Sequence, residues 1–213
     1  MHPAPSVIIF SVLSGMGFGL LAYLGAGLVC PVGWAAFFLW ALGYGLAIAG
    51  LMAATFHLGN SKNAIKAFSQ WRTSWLSREA WAAVATLVVL APIALSDWLG
   101  LDWPRYLGYL GAGLALFTVF TTSMIYTQIK AVPRWNHWLG PVMFVGFALA
   151  GGAVLAGQGW AVYLLISLGL VMVAGWQVGD QQFAKRAQTM GTATGLDRVG
   201  EVTVFEQPHT GGN

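Results

Sequence analysis

The first 61 residues contain no Asp, Glu, Lys or Arg, and they read as two long apolar runs separated by a short Cys-Pro-Val-Gly break. About 20 consecutive apolar residues are enough to cross the hydrocarbon core of a bilayer as a helix. Six runs of that kind are present, at 7–29, 35–56, 80–97, 106–129, 138–156 and 159–178; the third is the shortest, and its helix is expected to begin at the SWLSREAW stretch. The first is too long for a signal-peptide core and has no basic leader, so it reads as a retained helix. Charged residues make up 8% of the chain, against about 25% in soluble domains. That is too few to solvate the surface of a globule, which excludes an ordinary soluble enzyme, a disordered chain and a nucleic-acid binder with its clustered basic patch. The period-2 alternation of a membrane barrel is absent. The expected fold is an all-α integral membrane protein, a bundle of about six transmembrane helices over residues 1–178, followed by a cytoplasmic tail over 179–213.

The few charges are unevenly placed. Lys62, Lys66, Arg72 and Arg78 separate runs two and three, Lys130 and Arg134 separate runs four and five, and Lys185, Arg186 and Arg198 follow run six. Arg105, with Asp97 and Asp102, is the one basic residue in a loop of the other side. The positive-inside bias then places both termini and the two longer loops in the cytoplasm. Trp71, Trp75, Trp81, Trp135 and Trp138 fall near one set of helix ends and Trp34, Trp98, Trp103 and Trp160 near the other, as an interfacial belt requires. Gly15, Gly19, Ala22 and Gly25 in the first run, and Gly108, Gly111 and Gly113 in the fourth, are small enough for close helix contact. No fixed-period or inverted repeat is evident, which weighs against a transporter.

Chemistry-bearing residues are sparse. The single cysteine, Cys30, excludes a disulfide framework, a cysteine-rich zinc site or an iron–sulfur cluster held by this chain alone, so no metal site is expected here. Of the histidines, His57 ends a helix, His2 and His137 lie at or beyond helix edges and His209 is in the tail. That placement argues against a haem-carrying cytochrome. No charged residue sits in the middle of a run, which disfavours a proton pump or an ion-coupled transporter.

The richest polar stretch is 56–80, FHLGNSKNAIKAFSQWRTSWLSREA. His57 closes the second helix, Gly59 and Asn60 suit its C-cap, a short amphipathic helix could carry Lys62 and Lys66, and Ser77 reads as the N-cap of the third helix with Glu79 in its first turn. Each has a plain structural reading. His57 and Glu79 complement helix dipoles, and the basic residues set orientation. The functional reading joins them: an imidazole that titrates near neutrality and a carboxyl at the same depth can exchange the protons that accompany two-electron quinone chemistry. Thr121, Thr122, Ser123, Tyr126 and Gln128 approach the same interface from the fourth helix. The hydroxyls can satisfy themselves on backbone carbonyls, which leaves Tyr126 as the most plausible further quinone contact. The loop VPRWNHW, 132–138, suits a membrane-surface anchor or a partner-docking surface equally well.

The stretches HLGNSKNAIKAFSQWRTSWLSREAW (57–81) and MIYTQIKAVPRWNHWLGP (124–141), with the opening HPAPSVIIFSVLSGMGFGLL and the tail FEQPHTGGN, resemble the membrane-anchor subunits of dimethyl-sulfoxide-reductase-type molybdopterin complexes. Within that family the likeness is greatest to the membrane subunit of cytoplasm-facing sulfite dehydrogenase (sulfite-oxidising) complexes. The resemblance implies a haem-free anchor in the bacterial inner membrane that does no chemistry on the sulfur substrate. It implies that a docked iron–sulfur subunit and a molybdopterin catalytic subunit carry the clusters and the molybdenum on the cytoplasmic side. It also implies a site for ubiquinone or menaquinone near that interface. His57 matches the histidine associated with quinol binding, Glu79 the acid after the Ser-Arg pair, and Arg72 and Arg78 the basic positions of the loop. Lys62, Lys66, Trp71, Trp75, Arg134 and Trp135 are then the candidate docking contacts. Relatives tend to continue into further helices where this chain stops after Thr-Gly-Gly-Asn. The expected function is to pass electrons from sulfite oxidation to quinone. The alternatives are a quinol-oxidising anchor of a sulfoxide-type reductase, and a structural anchor or transporter without a redox role.

Overall fold

The computed structural model describes residues 5–56, 66, 68–130, 135–185, 191, 195 and 198–200. These form six helices and, among the described residues, no strand: α1 Pro5–Gly25, α2 Gly33–Phe56, α3 Trp75–Leu99, α4 Tyr106–Thr127, α5 Leu139–Leu155 and α6 Ala161–Lys185. In lipid a backbone must satisfy its own polar groups, and a helix does so within one segment. By length and composition five of the six can cross a bilayer, and α5 is an apolar helix of 17 residues. The chain is therefore a multi-pass membrane protein with an all-helical bundle fold. Successive helices run up and down. One end of the bundle carries Lys66, Arg72, Arg78 and Lys130 and is called the basic end below. The opposite end carries Asp97, Asp102 and Arg105.

Lipid tails are as apolar as leucine, so helices in a membrane are held by close packing rather than by a hydrophobic drive between them. Helix α1 is the axis of that packing and contacts α2, α3, α4 and α5. Phe18, Leu20, Leu21 and Leu24 are almost fully enclosed. Three of its glycines open three of its faces. A Cβ on Gly17 would lie 2.4 Å from the Ala47 nitrogen of α2, one on Gly19 1.9 Å from the Ala148 oxygen of α5, and one on Gly25 2.8 Å from the Gly108 oxygen of α4. Gly15 and Gly113, expected to do the same, do not: the first has only the Ala148 Cβ at 4.0 Å and the second has no neighbour that close.

Helix α6 is the outlier. Among the described residues it packs on α5 alone, and only 6% of its apolar span is buried, against 56% for α1. It also continues to Lys185, past the expected end at 178.

The start of α3 corrects the sequence reading. Ser74, in an extended conformation, precedes the first turn, and the Arg78 amide donates to the Ser74 carbonyl at 3.2 Å. Ser77 is therefore inside the helix rather than its cap, and Glu79 stands beyond the first turn. The helix starts within the SWLSREAW stretch, where α3 side chains hold the incoming loop. Arg78 donates from Nε to the Trp71 carbonyl at 3.0 Å and from Nη2 to the Arg72 carbonyl at 2.7 Å. The Trp81 indole donates to the Phe68 carbonyl at 3.0 Å.

Further along α3, Pro92 removes one intrahelical donor. One residue before the carbonyl this leaves without its helical partner, the Tyr44 hydroxyl of α2 donates to the Leu87 carbonyl at 2.7 Å and ties the weakened turn to its neighbour. Tyr44→Phe is expected to cost about 1 kcal/mol, the net worth of an ordinary hydrogen bond, read as a lower unfolding midpoint in detergent.

Candidate functional site

The seam between α3 and α4 carries the polar chemistry of the basic end. A short connection joins these antiparallel helices, so residues equally far from it face each other. Thr86 and Thr118 pair in this way, with their hydroxyl oxygens 3.2 Å apart and both side chains buried. Two turns nearer the basic end, Glu79 is 3% exposed, and its carboxylate accepts a hydrogen bond from the Thr122 hydroxyl. Thr122 also reaches the Thr118 carbonyl at 3.0 Å. Among the described residues no basic side chain pairs with Glu79. An enclosed carboxyl with a hydroxyl partner and no cation is costly to bury, and ionisable groups at membrane depth mark functional sites by default. Ser77, 1% exposed, has a side-chain oxygen that finds no partner among the described residues. Thr121, Ser123 and Thr127 bond back to carbonyls of their own helix, as the structural reading of those hydroxyls expects.

Tyr126 lies one turn beyond Thr122 on the same face of α4. Its ring stacks on Phe144 with centroids 5.6 Å apart and meets Trp135 edge-on at 5.7 Å. Arg78 lies over the Trp75 ring at 4.3 Å with two of its donors bound to the loop carbonyls, so it braces residues 71–74. Arg72 is exposed, 5.5 Å from the Trp71 ring centroid. Lys66, Trp71 and Trp135 are exposed and Trp75 is half-buried against Phe120. His57, Lys62 and Arg134 lie outside the described residues, as do Gly59 and Asn60.

An apolar cleft opens beside this seam, between α1, α5 and α6, with α4 as its floor. Its deeper part has a volume of about 540 Å³ and is lined by Gly15, Met16, Thr122, Phe147, Val154 and Leu165 among others. A second part of about 300 Å³ reaches the basic end past Tyr126, Thr127, Trp135, His137 and Trp176. The two share Ser11, Met143, Phe144 and Met172, so they adjoin along the same groove. Thr122 thus has the Glu79 carboxylate on one side and the cleft on the other. Sequence reasoning missed this role, although counting residues back from the α3–α4 connection brings Glu79 to this turn of α4. It also missed His137, whose Nδ1 accepts the Leu139 amide at 3.2 Å where it lines the mouth of the cleft.

At the opposite end, Asp97 is held by three groups: Arg105 Nη2 donates to Oδ1 at 2.8 Å, Arg105 Nη1 to Oδ2 at 3.2 Å, and the Trp40 indole to Oδ2 at 3.0 Å. This cluster fastens α2, α3 and the start of α4. Among the described residues no group of three or more His, Cys, Asp or Glu side chains comes together as metal ligands would.

Comparison with known proteins places this architecture. The sequence is 35% identical to a sulfite dehydrogenase subunit of Allochromatium vinosum, over a match that covers 73% of this chain and 54% of that protein. The chain thus spans about half the length of the curated relative it matches. No solved structure matches it. The family of the DMSO reductase anchor subunit (DmsC) matches residues 2–168, through all of α1 to α5 and into α6. With its match running through five of the six helices, the chain belongs to the DMSO reductase anchor subunit family.

Proposed function

We propose that this chain is the quinone-reactive membrane anchor of a molybdopterin and iron–sulfur oxidoreductase, and that it passes electrons from a docked iron–sulfur subunit to the quinone pool. The observation that carries the reading is the enclosed Glu79 carboxyl, joined by the Thr122 hydroxyl to an apolar cleft at the basic end. A quinone becoming quinol takes up two electrons and two protons. Glu79 is placed to hold a proton at its carboxyl and, when it does, to donate that proton's hydrogen bond to the Thr122 oxygen; this frees the Thr122 hydroxyl hydrogen for a ring oxygen, with Tyr126 bordering the ring. His57, which follows Phe56 in the sequence, supplies the second titratable group, and Arg72 and Arg78 frame the site by shaping the loop before α3.

The likeness to a sulfite dehydrogenase protein supports sulfite oxidation in the partner as the electron source. Membership of a reductase-anchor family supports the reverse flow, with quinol as donor, through the same residues. The molybdopterin and iron–sulfur subunits would dock on the basic end, where Lys66, Trp71 and Trp135 are exposed and Trp75 opens α3, with Lys62 and Arg134 near them in the sequence. The gathering of nine of the ten basic residues there and in the tail supports a cytoplasmic docking face, with both termini on the cytoplasmic side of the bacterial inner membrane.

The test is sulfite-dependent quinone reduction by membranes that carry the whole complex. Glu79→Gln keeps the acceptor for Thr122 but cannot give up a proton, and it is expected to lower turnover at least tenfold, about 1.4 kcal/mol of barrier, with His57→Ala acting in the same direction. Both variants should still assemble with the partner subunits. Turnover at the parental rate in both variants would remove the redox role and leave a structural anchor.

A further inference from the structure

Resting on the quinone reading above, we infer that the cleft between α1, α5 and α6 seats the isoprenoid chain of the quinone, with the ring beside Thr122 and Tyr126. The dimensions fit a long flexible chain: from Gly140 at the mouth to Val154 at the far end, the wall formed by α5 runs about 21 Å at 1.5 Å per residue. Met16, Met143 and Met172 line it, and methionine side chains adapt to an apolar ligand of irregular shape.

The placement of polar groups separates a quinone from a membrane lipid. A phospholipid seated here would keep its polar atoms outside the mouth and offer only methylenes inside. Thr122 stands inside, five residues or about 7 Å from the end of α4, and it is the hydroxyl that touches Glu79. A ring oxygen at the head of an apolar chain answers that hydroxyl, and an acyl chain does not. Access is also suited to a lipid-soluble ligand, because among the described residues the α6 wall packs on α5 alone.

The test combines labelling with kinetics on the complete complex in membranes. A quinone with a diazirine on its isoprenoid chain is expected to label α5 and α6 around Met143, Gly151 and Met172. An unlabelled chain-bearing quinone should displace it and the bare ring should not. Two variants plug the cleft at different depths. A side chain on Gly15 meets only the Ala148 Cβ at 4.0 Å, so Gly15→Leu projects into the cleft without a backbone clash. Val154 is 47% exposed at the far end, so Val154→Trp has room there. In the parent, the chain-bearing quinone should have the lower KM of the two. Each plug is expected to raise its KM relative to that of the bare ring by about tenfold or more, an advantage of about 1.4 kcal/mol lost, and to abolish the labelling.

Equal response of both quinones to the plugs, or labelling confined to α2 and α3, overturns the cleft while leaving the quinone-reactive anchor standing. Labelling of the cleft by a diazirine phospholipid that quinone does not displace assigns it to a lipid acyl chain and also overturns the inference. Failure of the parent complex to reduce either quinone overturns the functional reading itself.

Discussion

Arg105→Ala should destabilise the folded bundle by about 3–5 kcal/mol, the usual consequence of stranding one partner of a buried ion pair. Its side chain is 27% exposed and that of Asp97 is 8% exposed, and this difference makes the two single deletions unequal. Without Arg105, the Asp97 carboxylate stays enclosed with only the Trp40 indole to solvate it. Without Asp97, the guanidinium can turn toward water, so Asp97→Ala should cost about 1–3 kcal/mol, mostly the orphaned indole and the lost tie between helices. The double replacement should recover part of the Arg105→Ala loss, because no uncompensated charge then remains. Denaturant unfolding of the chain in bicelles, followed by tryptophan fluorescence, reads all three. If Asp97→Ala proved the worse single change, or both cost under about 1 kcal/mol, the cluster would be a surface ion pair and not a fastening of α2, α3 and α4.

Gly19→Ala should be nearly as damaging although it adds one methyl group. That methyl would sit 1.9 Å from the Ala148 oxygen and 2.7 Å from its carbonyl carbon, both rigid backbone, so α1 and α5 would have to separate along their contact. Overpacking by a methyl commonly costs about 1–3 kcal/mol where side chains can yield, and the upper end or beyond is expected where they cannot. Gly152→Ala meets the same obstacle from the other side, with a Cβ 2.3 Å from the Gly19 carbonyl carbon. Gly113→Ala has open space around it and should be neutral, or stabilising by about 0.5–1 kcal/mol through helix propensity. Thermal inactivation in detergent and a spin-label distance between α1 and α5 check the set. Equal behaviour of Gly19→Ala and Gly113→Ala would show that the α1–α5 contact does not depend on bare backbone.

Segments and their ends are legible because bilayer thickness, backbone self-satisfaction and charge exclusion act on local sequence. At α3 the expected Ser77 cap is displaced into the helix, because the start is set by Arg78 and Trp81 reaching back to loop carbonyls. What is not legible is what depends on rotation about a helix axis. Hydropathy is high all round α1, so nothing local shows that Gly17 faces α2 while Gly15 faces open space. Asp97 and Arg105 stand out in the sequence as charges of one side, but their third partner, Trp40, is 57 positions from Asp97 and looks like any other apolar residue. Glu79 is conspicuous by its type and place, whereas its enclosure and its bond to Thr122 follow from the pairing of α3 with α4, which no window of sequence contains.

The glycine faces of α1 also bear on biosynthesis. The surroundings of α1 are completed late, because the partner that covers Gly19 is α5, which follows it in the chain after three other helices. Until α5 is inserted, that groove lacks its cover, and the bundle closes around α1 only when α5 has left the ribosome.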